Sequence, residues 1–148
     1  MELRKLKTLQ QGVTLVEILI VVMIIGILIM VVYPSYLEHV RKTKRLDAKK
    51  ALIELAQLQE DNFITTKQYL KDNEAITSIY GNNYDLGNYG NGNYTLVLIT
   101  NATASEFTLR ATAIDNQAED TDCAWFEINS IGNRTAGDEN NVLQDDCW

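Results

Sequence analysis

Histidine and cysteine are scarce in this sequence of 148 residues, which contains one His and two Cys. The single histidine, His39, follows a long apolar run, so it would lie far from the polar remainder of the chain, and a His-based catalytic triad is not expected. No other catalytic constellation is evident in the sequence. We therefore predict that the chain is not an enzyme and needs no cofactor.

Basic residues are also scarce in the second half of the chain. From Asp72 onward, two bases, Arg110 and Arg134, stand against thirteen acidic residues, which gives a net charge of −11. Because phosphate binding relies on clustered Lys and Arg, direct nucleic-acid binding is not expected. The basic cluster at 41–50 could bind anionic lipid headgroups or DNA, but a solvated helix face that pairs with acidic neighbours is favoured. Two acidic pairs, at 138–139 and 145–146, could hold calcium, but their spacing fits no EF-hand loop. We expect a solvated acidic loop there and no metal site.

What the sequence does contain is a long apolar run, residues 13–33, behind a basic leader. As a helix, its 21 residues would span about 31 Å, which matches the roughly 30 Å hydrocarbon core of a bilayer. The run is too long for the apolar part of a secretory signal, and no cleavage site of small residues follows it. We therefore predict a membrane helix that stays in the mature protein.

One carboxylate, that of Glu17, lies inside this run, five residues after Gly12. A carboxylate in hydrocarbon costs a few kcal/mol at least, so an ionisable residue there is taken as functional and needs a partner. A new amino terminus, created by cleavage after Gly12, could supply that partner. The alternative is a plain signal anchor in which Gly12 is incidental, but this alternative leaves Glu17 unexplained.

Two features disagree about the side of the membrane on which the rest of the chain lies. Six Lys and Arg at 41–50, against three in the leader, would place the carboxyl side in the cytoplasm. Cys123 and Cys147 instead favour a disulfide in an oxidising compartment. Closing the loop between them would stabilise the fold by about 3.5 kcal/mol in the chain-entropy model. A metal-binding pair or two free thiols is the alternative.

Hydrophobic periodicity predicts that the helix continues to residue 63. Apolar and small residues recur at three- and four-residue steps and form one stripe, which comprises Ala48, Ala51, Leu52, Leu55, Ala56, Gln59 and Phe63. Pro34 lies inside the helix and lacks an amide donor, so it should loosen the helix one turn back. Together with Gly26, it marks a predicted weak section.

The remainder of the chain has the pattern of a small antiparallel sheet. Residues 81–93 are dense in Gly and Asn and are predicted to form a loop. Three strands are predicted, at 94–100, 106–114 and 124–130, with hairpin connections at 101–105 and 132–133. We expect the helix stripe to cover the apolar face of this sheet, which places the chain in the α+β class.

Several segments together resemble a type IV pilin. They are the leader Lys-Thr-Leu-Gln-Gln-Gly followed by Val-Thr-Leu-Val-Glu, the Tyr-Pro-Ser-Tyr segment at 33–36, the stripe Ala-Leu-Ile-Glu-Leu-Ala-Gln-Leu-Gln-Glu, and the Cys-Trp end. The resemblance spans the whole chain and is greatest to the PilE-like minor pilins of Gram-negative bacteria. It implies the type IV pilin fold, a long N-terminal α-helix packed on a small antiparallel β-sheet with a C-terminal disulfide loop.

The resemblance implies roles for three residues near the amino terminus. Gly12 matches the residue before the prepilin peptidase cleavage, and Val13 matches the new amino terminus that the same enzyme N-methylates. Glu17 matches the acid that neutralises the terminal amine of a neighbouring subunit. The first mature residue in this family is usually phenylalanine. Cleavage depends mainly on the glycine, so Val13 should permit it, whereas the extent of methylation is less defined.

The resemblance also implies a division of the chain. Gly26 and Pro34 match the ends of the helix segment that loses helicity during filament assembly, and Cys123 and Cys147 match the disulfide that encloses the variable D-region. The implied parts are a leader peptide at 1–12, a transmembrane and assembly helix at 13–36, its amphipathic half at 37–63, and a globular head with αβ-loop and D-region at 64–148.

The implied function is that of a structural subunit of the type IV pilus, most closely a PilE-like minor pilin that supports pilus assembly and hence twitching motility, adhesion or DNA uptake. A major pilin, a pilus-displayed adhesin and a type II secretion pseudopilin are alternatives. The expected partners are other pilin subunits, contacted through the N-terminal helix, the prepilin peptidase and the inner-membrane assembly machinery. The expected location is the inner membrane, with a single pass and the head in the periplasm, and then the cell-surface pilus.

Overall fold

In the computed structural model of this chain, residues 12–80, 92–99 and 105–148 are described. Most of the predicted 81–93 loop and of the 101–105 connection lies outside these residues. The elements are helices α1 (Leu15–Thr66) and α2 (Asn73–Tyr80), strands β1 (Tyr94–Leu98), β2 (Thr108–Ala113), β3 (Trp125–Asn129) and β4 (Arg134–Gly137), and 3₁₀ helices η1 (Asp115–Glu119) and η2 (Asp145–Cys147). The chain divides into two compact units, one ending at Glu38 and one beginning at His39.

In the first unit, α1 begins after Thr14, whose Oγ1 accepts the amide of Glu17 at 3.2 Å and caps the helix. The large apolar side chains from Val13 to Tyr36 are exposed. By length and composition, α1 is able to cross a membrane. The helix continues without a break through Pro34, so the predicted weak section does not interrupt it.

Helix α1 ends at Thr66, three residues beyond the predicted end. Lys67 adopts a left-handed backbone conformation (φ 62°), and its amide donates to the carbonyl of Phe63 at 2.8 Å. Asn62 Nδ2 donates to the carbonyl of Gln68 at 2.8 Å. These polar contacts extend the last turn, and hydrophobic periodicity does not detect them.

In the second unit, the four strands form one antiparallel sheet in the order β1-β2-β3-β4. Alternate strand residues are buried in the core, namely Tyr94, Leu96, Leu98, Leu109, Ala111, Phe126, Ile128 and Ala136. The same core contains Ala48, Ala51, Leu52 and Leu55 of α1. The predicted α+β fold, with the long helix packed on a small antiparallel sheet, is confirmed.

The sequence analysis does not predict strand β4, although it predicts the turn before it, at 132–133. It follows Gly132 (φ 78°) and pairs with β3 from Ile128 to Trp125. Its sequence, Arg-Thr-Ala-Gly, contains one β-branched residue and ends in glycine, so propensity does not identify it as a strand.

Helix α2 is also absent from the prediction, because eight residues are too few for a helical period to be recognised. Asp72 caps it by accepting the amide of Ala75 at 2.6 Å. Asn73 Oδ1 accepts the amide of Leu98 at 2.8 Å. The start of α2 is therefore attached to the edge of β1.

Cys123 and Cys147 form a disulfide with a Cα–Cα distance of 5.7 Å, and both residues are buried. The loop that it closes contains β3, β4 and η2. The predicted disulfide is confirmed, and the alternatives of a metal-binding pair or two free thiols are wrong.

Candidate functional site

The predicted functional residues of the amino-terminal segment follow one another along the first unit. Gly12 and Val13 precede α1, Glu17 lies in its first turn and Pro34 lies inside it. A carboxylate in the first turn interacts favourably with the positive end of the helix. A Cβ atom built on Gly26 would meet nothing within 4 Å, so packing inside the described chain does not require glycine there. Their roles in cleavage, methylation and assembly stay predictions.

In the second unit, two arginines of α1 hold η1 and the residue after it. Arg45 donates from Nε and Nη2 to the two carboxylate oxygens of Asp120, at 2.7 and 2.6 Å. Asp120 is buried and Arg45 is largely buried, since their side chains are 3% and 14% exposed. The hydrogen bonds that Arg45 donates to Asp120 are the main cause that raises the pKa of Arg45. Arg41 forms a more exposed pair with Glu119 at 2.5 Å. Two acidic residues are therefore neutralised by the helix.

The face of the sheet that points away from the core carries a third ion pair. Arg110 on β2 lies opposite Glu127 on β3, with Nε and Oε1 2.5 Å apart. The Arg110 guanidinium carbon is 4.4 Å from the centroid of the Trp125 ring. That ring lies against Gly137, where a Cβ atom would approach Trp125 Cζ2 to 2.3 Å. Stacking and ion pairing fix Arg110, and Glu127 neutralises its charge.

Two further cations flank Trp148, and we call Lys49, Arg134 and Trp148 the Trp148 cluster. Lys49 Nζ is 5.9 Å and the Arg134 guanidinium carbon is 5.4 Å from the centroid of the Trp148 ring. Trp148 Nε1 donates to the carbonyl of Thr135 at 2.6 Å, which fixes the ring on β4. Burial, followed by the charge of Arg45, lowers the pKa of Lys49. Among the described residues, neither cation of the cluster forms an ion pair with a carboxylate.

An exposed loop shaped by Asp138 follows β4. Asp138 Oδ1 accepts the amides of Asn140 and Val142, at 2.9 and 2.8 Å, and Asn141 adopts a left-handed conformation (φ 62°). A bridge from Leu143 to Gly137 ties the end of the loop to β4. A cleft of about 90 Å³ beside it is lined by Arg134, Thr135, Ala136, Leu143, Gln144, Asp145 and Trp148. The edge of β4 thus combines two cations, an aromatic ring and exposed asparagine amides, and the carboxylates at 138–139 and 145–146 lie on the segment that follows β4. The cations, the ring and the amides are groups that contact an anionic polymer with hydrogen-bonding groups.

Two family models match successive parts of the chain. Residues 7–33, which include Gly12 and Val13, match the prokaryotic N-terminal methylation motif. Residues 34–127, more than half of the chain, match the family described as type IV minor pilin ComP, DNA uptake sequence receptor. The chain belongs to this ComP family. The predicted resemblance to type IV minor pilins is confirmed, and membership of a pilin family makes the chain a structural protein and not an enzyme, as predicted.

Membership of the ComP family contradicts the prediction that direct nucleic-acid binding is not expected, because the family is that of a DNA uptake sequence receptor. The prediction used the net charge of the chain from Asp72 onward and counted every carboxylate as free. In the fold, three of these acids are paired with arginines, whereas the Trp148 cluster retains two cations. The net charge of the segment therefore does not show that two cations meet at Trp148 in the folded chain.

Two known proteins are similar to this chain. The chain is 31% identical over 100 residues to the type IV major fimbrial protein FimA of Dichelobacter nodosus, and the match covers 68% of this chain and 58% of that protein. The crystal structure of the non-core minor pilin PilV of Neisseria meningitidis is similar, with a TM-score of 0.51 and 18% identity, over 72% of this chain and 96% of that one. At this identity, the PilV structure supports the fold alone.

The Trp148 cluster is the part of the candidate site that the sequence prediction missed. One signal for it was present, because Arg110 and Arg134 are the only bases in the acidic part of the chain. Two bases that stand alone among thirteen acids are candidates for specific contacts, and in the structure both lie over tryptophan rings. Lys49 belongs to the basic cluster at 41–50, but its position beside Trp148 depends on the packing of α1 against the sheet, which the sequence does not show.

Proposed function

We propose that this protein is a minor subunit of the type IV pilus that binds duplex DNA during DNA uptake. The observation that carries the proposal is the match of residues 34–127 to the ComP family, whose description names a DNA uptake sequence receptor. The matched residues include the second half of α1, η1 and most of β3. On this proposal, the protein prefers a short DNA sequence over other duplexes.

The Trp148 cluster supports contacts with DNA phosphates at the β4 edge. Arg134 is exposed there, and Lys49 is half-buried beside the same ring. Lysine and arginine that neutralise phosphates release counterions, which makes affinity fall as salt rises. Arg134 and Trp148 lie beyond the residues that match the family, so their assignment rests on geometry. We assign the two cations to positioning the DNA backbone.

The loop at 138–142 supports contacts with base edges. The side chains of Asn140 and Asn141 are exposed, and the hydrogen bonds of Asp138 hold the backbone that carries them. Asparagine amides can both donate to and accept from bases, which gives sequence discrimination that phosphate contacts lack. We assign this loop to reading the sequence.

We also propose the maturation and location implied by the amino-terminal residues. Cleavage after Gly12 exposes Val13 for methylation, and Glu17 neutralises the amine of a neighbouring subunit. The methylation motif at 7–33 and the exposed apolar surface of the first unit support this course. On this proposal, the protein is held in the inner membrane with residues 39–148 in the periplasm, is processed by the prepilin peptidase and then joins other pilins in the surface pilus.

Binding of the full-length protein in detergent to a labelled duplex library with a randomised centre tests the DNA proposal. Wild-type protein should enrich a sequence, and Arg134→Gln and Lys49→Gln should each weaken binding to all duplexes several-fold. Each lost phosphate contact should also reduce the slope of log affinity against log salt by about 0.9. Lys50→Gln is the matched control, because Lys50 lies beside Lys49 in the sequence but pairs with Glu54 at 3.7 Å. Wild-type protein that binds no duplex would contradict the proposal.

Deletion of the gene separates this function from the alternatives. A DNA-binding minor subunit should leave pili on the surface and remove DNA uptake. Loss of all pili would indicate a subunit required for assembly, and loss of attachment with normal uptake would indicate an adhesin. Loss of protein secretion with intact pili would indicate a secretion pseudopilin.

A further inference from the structure

A groove of about 420 Å³ lies between α1 and the β3–β4 hairpin, and Arg134 lines it. Arg134 also flanks Trp148, so the groove adjoins the Trp148 cluster. The register of the sheet accounts for this position, because Arg134 pairs with Ile128, which also lines the groove. The volume lies within the range of about 300–1,000 Å³ that is typical of small-ligand sites. The groove therefore has room for a planar ring next to the cations that we assign to DNA phosphates.

The groove has an apolar floor. Positions 53, 56, 57, 60 and 61 recur at three- and four-residue steps, so they form one face of α1 that turns toward the hairpin. The apolar side chains that line the groove are Ile53, Ala56, Phe107 and Ile128. Apolar contact with the faces of a ring, together with hydrogen bonds to its edge, is how proteins bind a base that has left the stack of a duplex.

The α1 wall of the groove carries two exposed carboxylates, those of Glu60 and Asp61. Tyr69 donates its hydroxyl to Glu60 Oε1 at 2.8 Å, which holds Glu60 in place. An ionised carboxylate only accepts hydrogen bonds, so it favours an edge with N–H groups over an edge with carbonyl oxygens. The Watson–Crick edge of guanine presents a ring N–H beside an amino group, whereas that of thymine presents one N–H between two carbonyl oxygens. Carboxylates that would repel a phosphate are therefore suited to the edge of a guanine.

We propose that this groove binds one guanine base extruded from duplex DNA, an inference that rests on the proposed DNA-binding function. The base lies on the apolar floor with its Watson–Crick edge toward Asp61, and Arg134 contacts the phosphate beside it. Extrusion is required, because pairing occupies this edge inside the duplex. The groove is distinct from the loop at 138–142, which follows the other end of β4, and it recognises a different edge of the DNA.

Binding of the full-length protein in detergent to modified versions of its bound duplex tests the inference. At one guanine position, an abasic site in the opposite strand should increase affinity several-fold, because that guanine no longer has to be unpaired. Inosine at the same position, which lacks only the amino group, should remove most of this gain. The matched control is 7-deazaguanine, which keeps the Watson–Crick edge and should retain the gain.

The outcomes separate this inference from the function on which it rests. Duplex binding with no gain at any guanine would overturn the inference and leave the proposed function in place. Displacement of the duplex by deoxyguanosine monophosphate at the same concentration would show a free nucleotide as the occupant and would also overturn it. Absence of all duplex binding would overturn both.

Variants of α1 provide an independent measurement. Asp61→Asn should remove the preference for guanine over inosine and leave the salt dependence of binding unchanged, because the phosphate contacts remain. Asp47→Asn is the matched control, since it removes the same charge from an exposed position of α1 outside the groove and should keep the preference. Ala56→Leu, a change that a helix tolerates, should fill the floor and abolish the gain at the abasic site. A guanine preference that survives both Asp61→Asn and Ala56→Leu would overturn the inference.

Discussion

The two units of this chain share one helix but meet different surroundings. In residues 12–38, the large apolar side chains are exposed on all sides of α1. In residues 39–148, the same helix buries a stripe of small and apolar residues in a core with the sheet. The first unit can bury its apolar surface only against lipid or other helices, whereas the second unit buries its apolar stripe in its own core.

The spacing of the apolar residues encodes this difference. A helix with apolar side chains on every face has no preferred side for packing, so it can contact lipid or several neighbouring helices. A stripe at three- and four-residue steps has one face and requires one fixed partner, which the sheet supplies. The second unit adds a disulfide and a buried ion pair, both of which connect distant parts of its sequence. Changes in these links should therefore affect the second unit and leave the first unaltered.

Removal of the disulfide should have the largest effect on this contrast. The double variant Cys123→Ser, Cys147→Ser should lose about 3.5 kcal/mol of unfolding free energy in the chain-entropy model. Thermal unfolding followed by near-ultraviolet circular dichroism reports the second unit, and membrane fractionation reports the first. We expect a large loss of thermal stability with membrane association retained. An unchanged melting temperature would show that the packing of β3 and β4 does not depend on the bridge.

Breaking the buried ion pair should have a slightly smaller effect. Asp120→Asn leaves Arg45, 14% exposed, without its carboxylate. Removal of one partner of a buried pair lowers the unfolding free energy by about 3–5 kcal/mol, because the remaining charge is left uncompensated. We expect a loss at the lower end of this range, because Arg45 keeps some access to water. The double variant Arg45→Met, Asp120→Leu should recover most of the stability in chemical denaturation. A double variant as unstable as the single one would show that shape, and not charge, fixes η1 on α1.

A methyl group on Gly137 should have a moderate effect. Gly137→Ala places Cβ within 2.3 Å of Trp125 Cζ2, so the indole ring must move away from β4. Overpacking of this kind costs about 1–3 kcal/mol. Displacement of the ring should also shift tryptophan fluorescence. Gly132→Ala is the comparison that distinguishes steric overlap from backbone strain. Gly132 has a positive φ but open space around its Cβ position, so any loss of stability in this variant comes from the backbone alone.

The sequence predicted those parts of the fold that depend on local pattern. The helix stripe and the three longer strands have a period, and two cysteines in a small domain allow one pairing. Strand β4 was not predictable, since its four residues become a strand only by pairing with β3. The Trp148 cluster depends on residues 49, 134 and 148 meeting in the folded chain. The charge argument failed for the same reason, because a sum over the sequence does not show which carboxylates are paired.

The smallest effect on the second unit should come from a change in the first. Glu17→Ala removes a carboxylate whose described surroundings are its own helix turn, so the unfolding free energy of residues 39–148 should change by less than about 0.5 kcal/mol. Cleavage after Gly12 should also proceed, because the role proposed for Glu17 is in docking and not in recognition by the peptidase. Recovery of the variant in sheared pili should nevertheless fall sharply, since the amine of a neighbouring subunit would lie in hydrocarbon without its counter-charge. Immunoblots of membrane and pilus fractions measure both quantities, with Gly12→Ser as the matched variant that should remain unprocessed. Normal incorporation of Glu17→Ala would show that the apolar surface of the first unit is sufficient for assembly and that Glu17 is not needed to neutralise the amine of a neighbouring subunit.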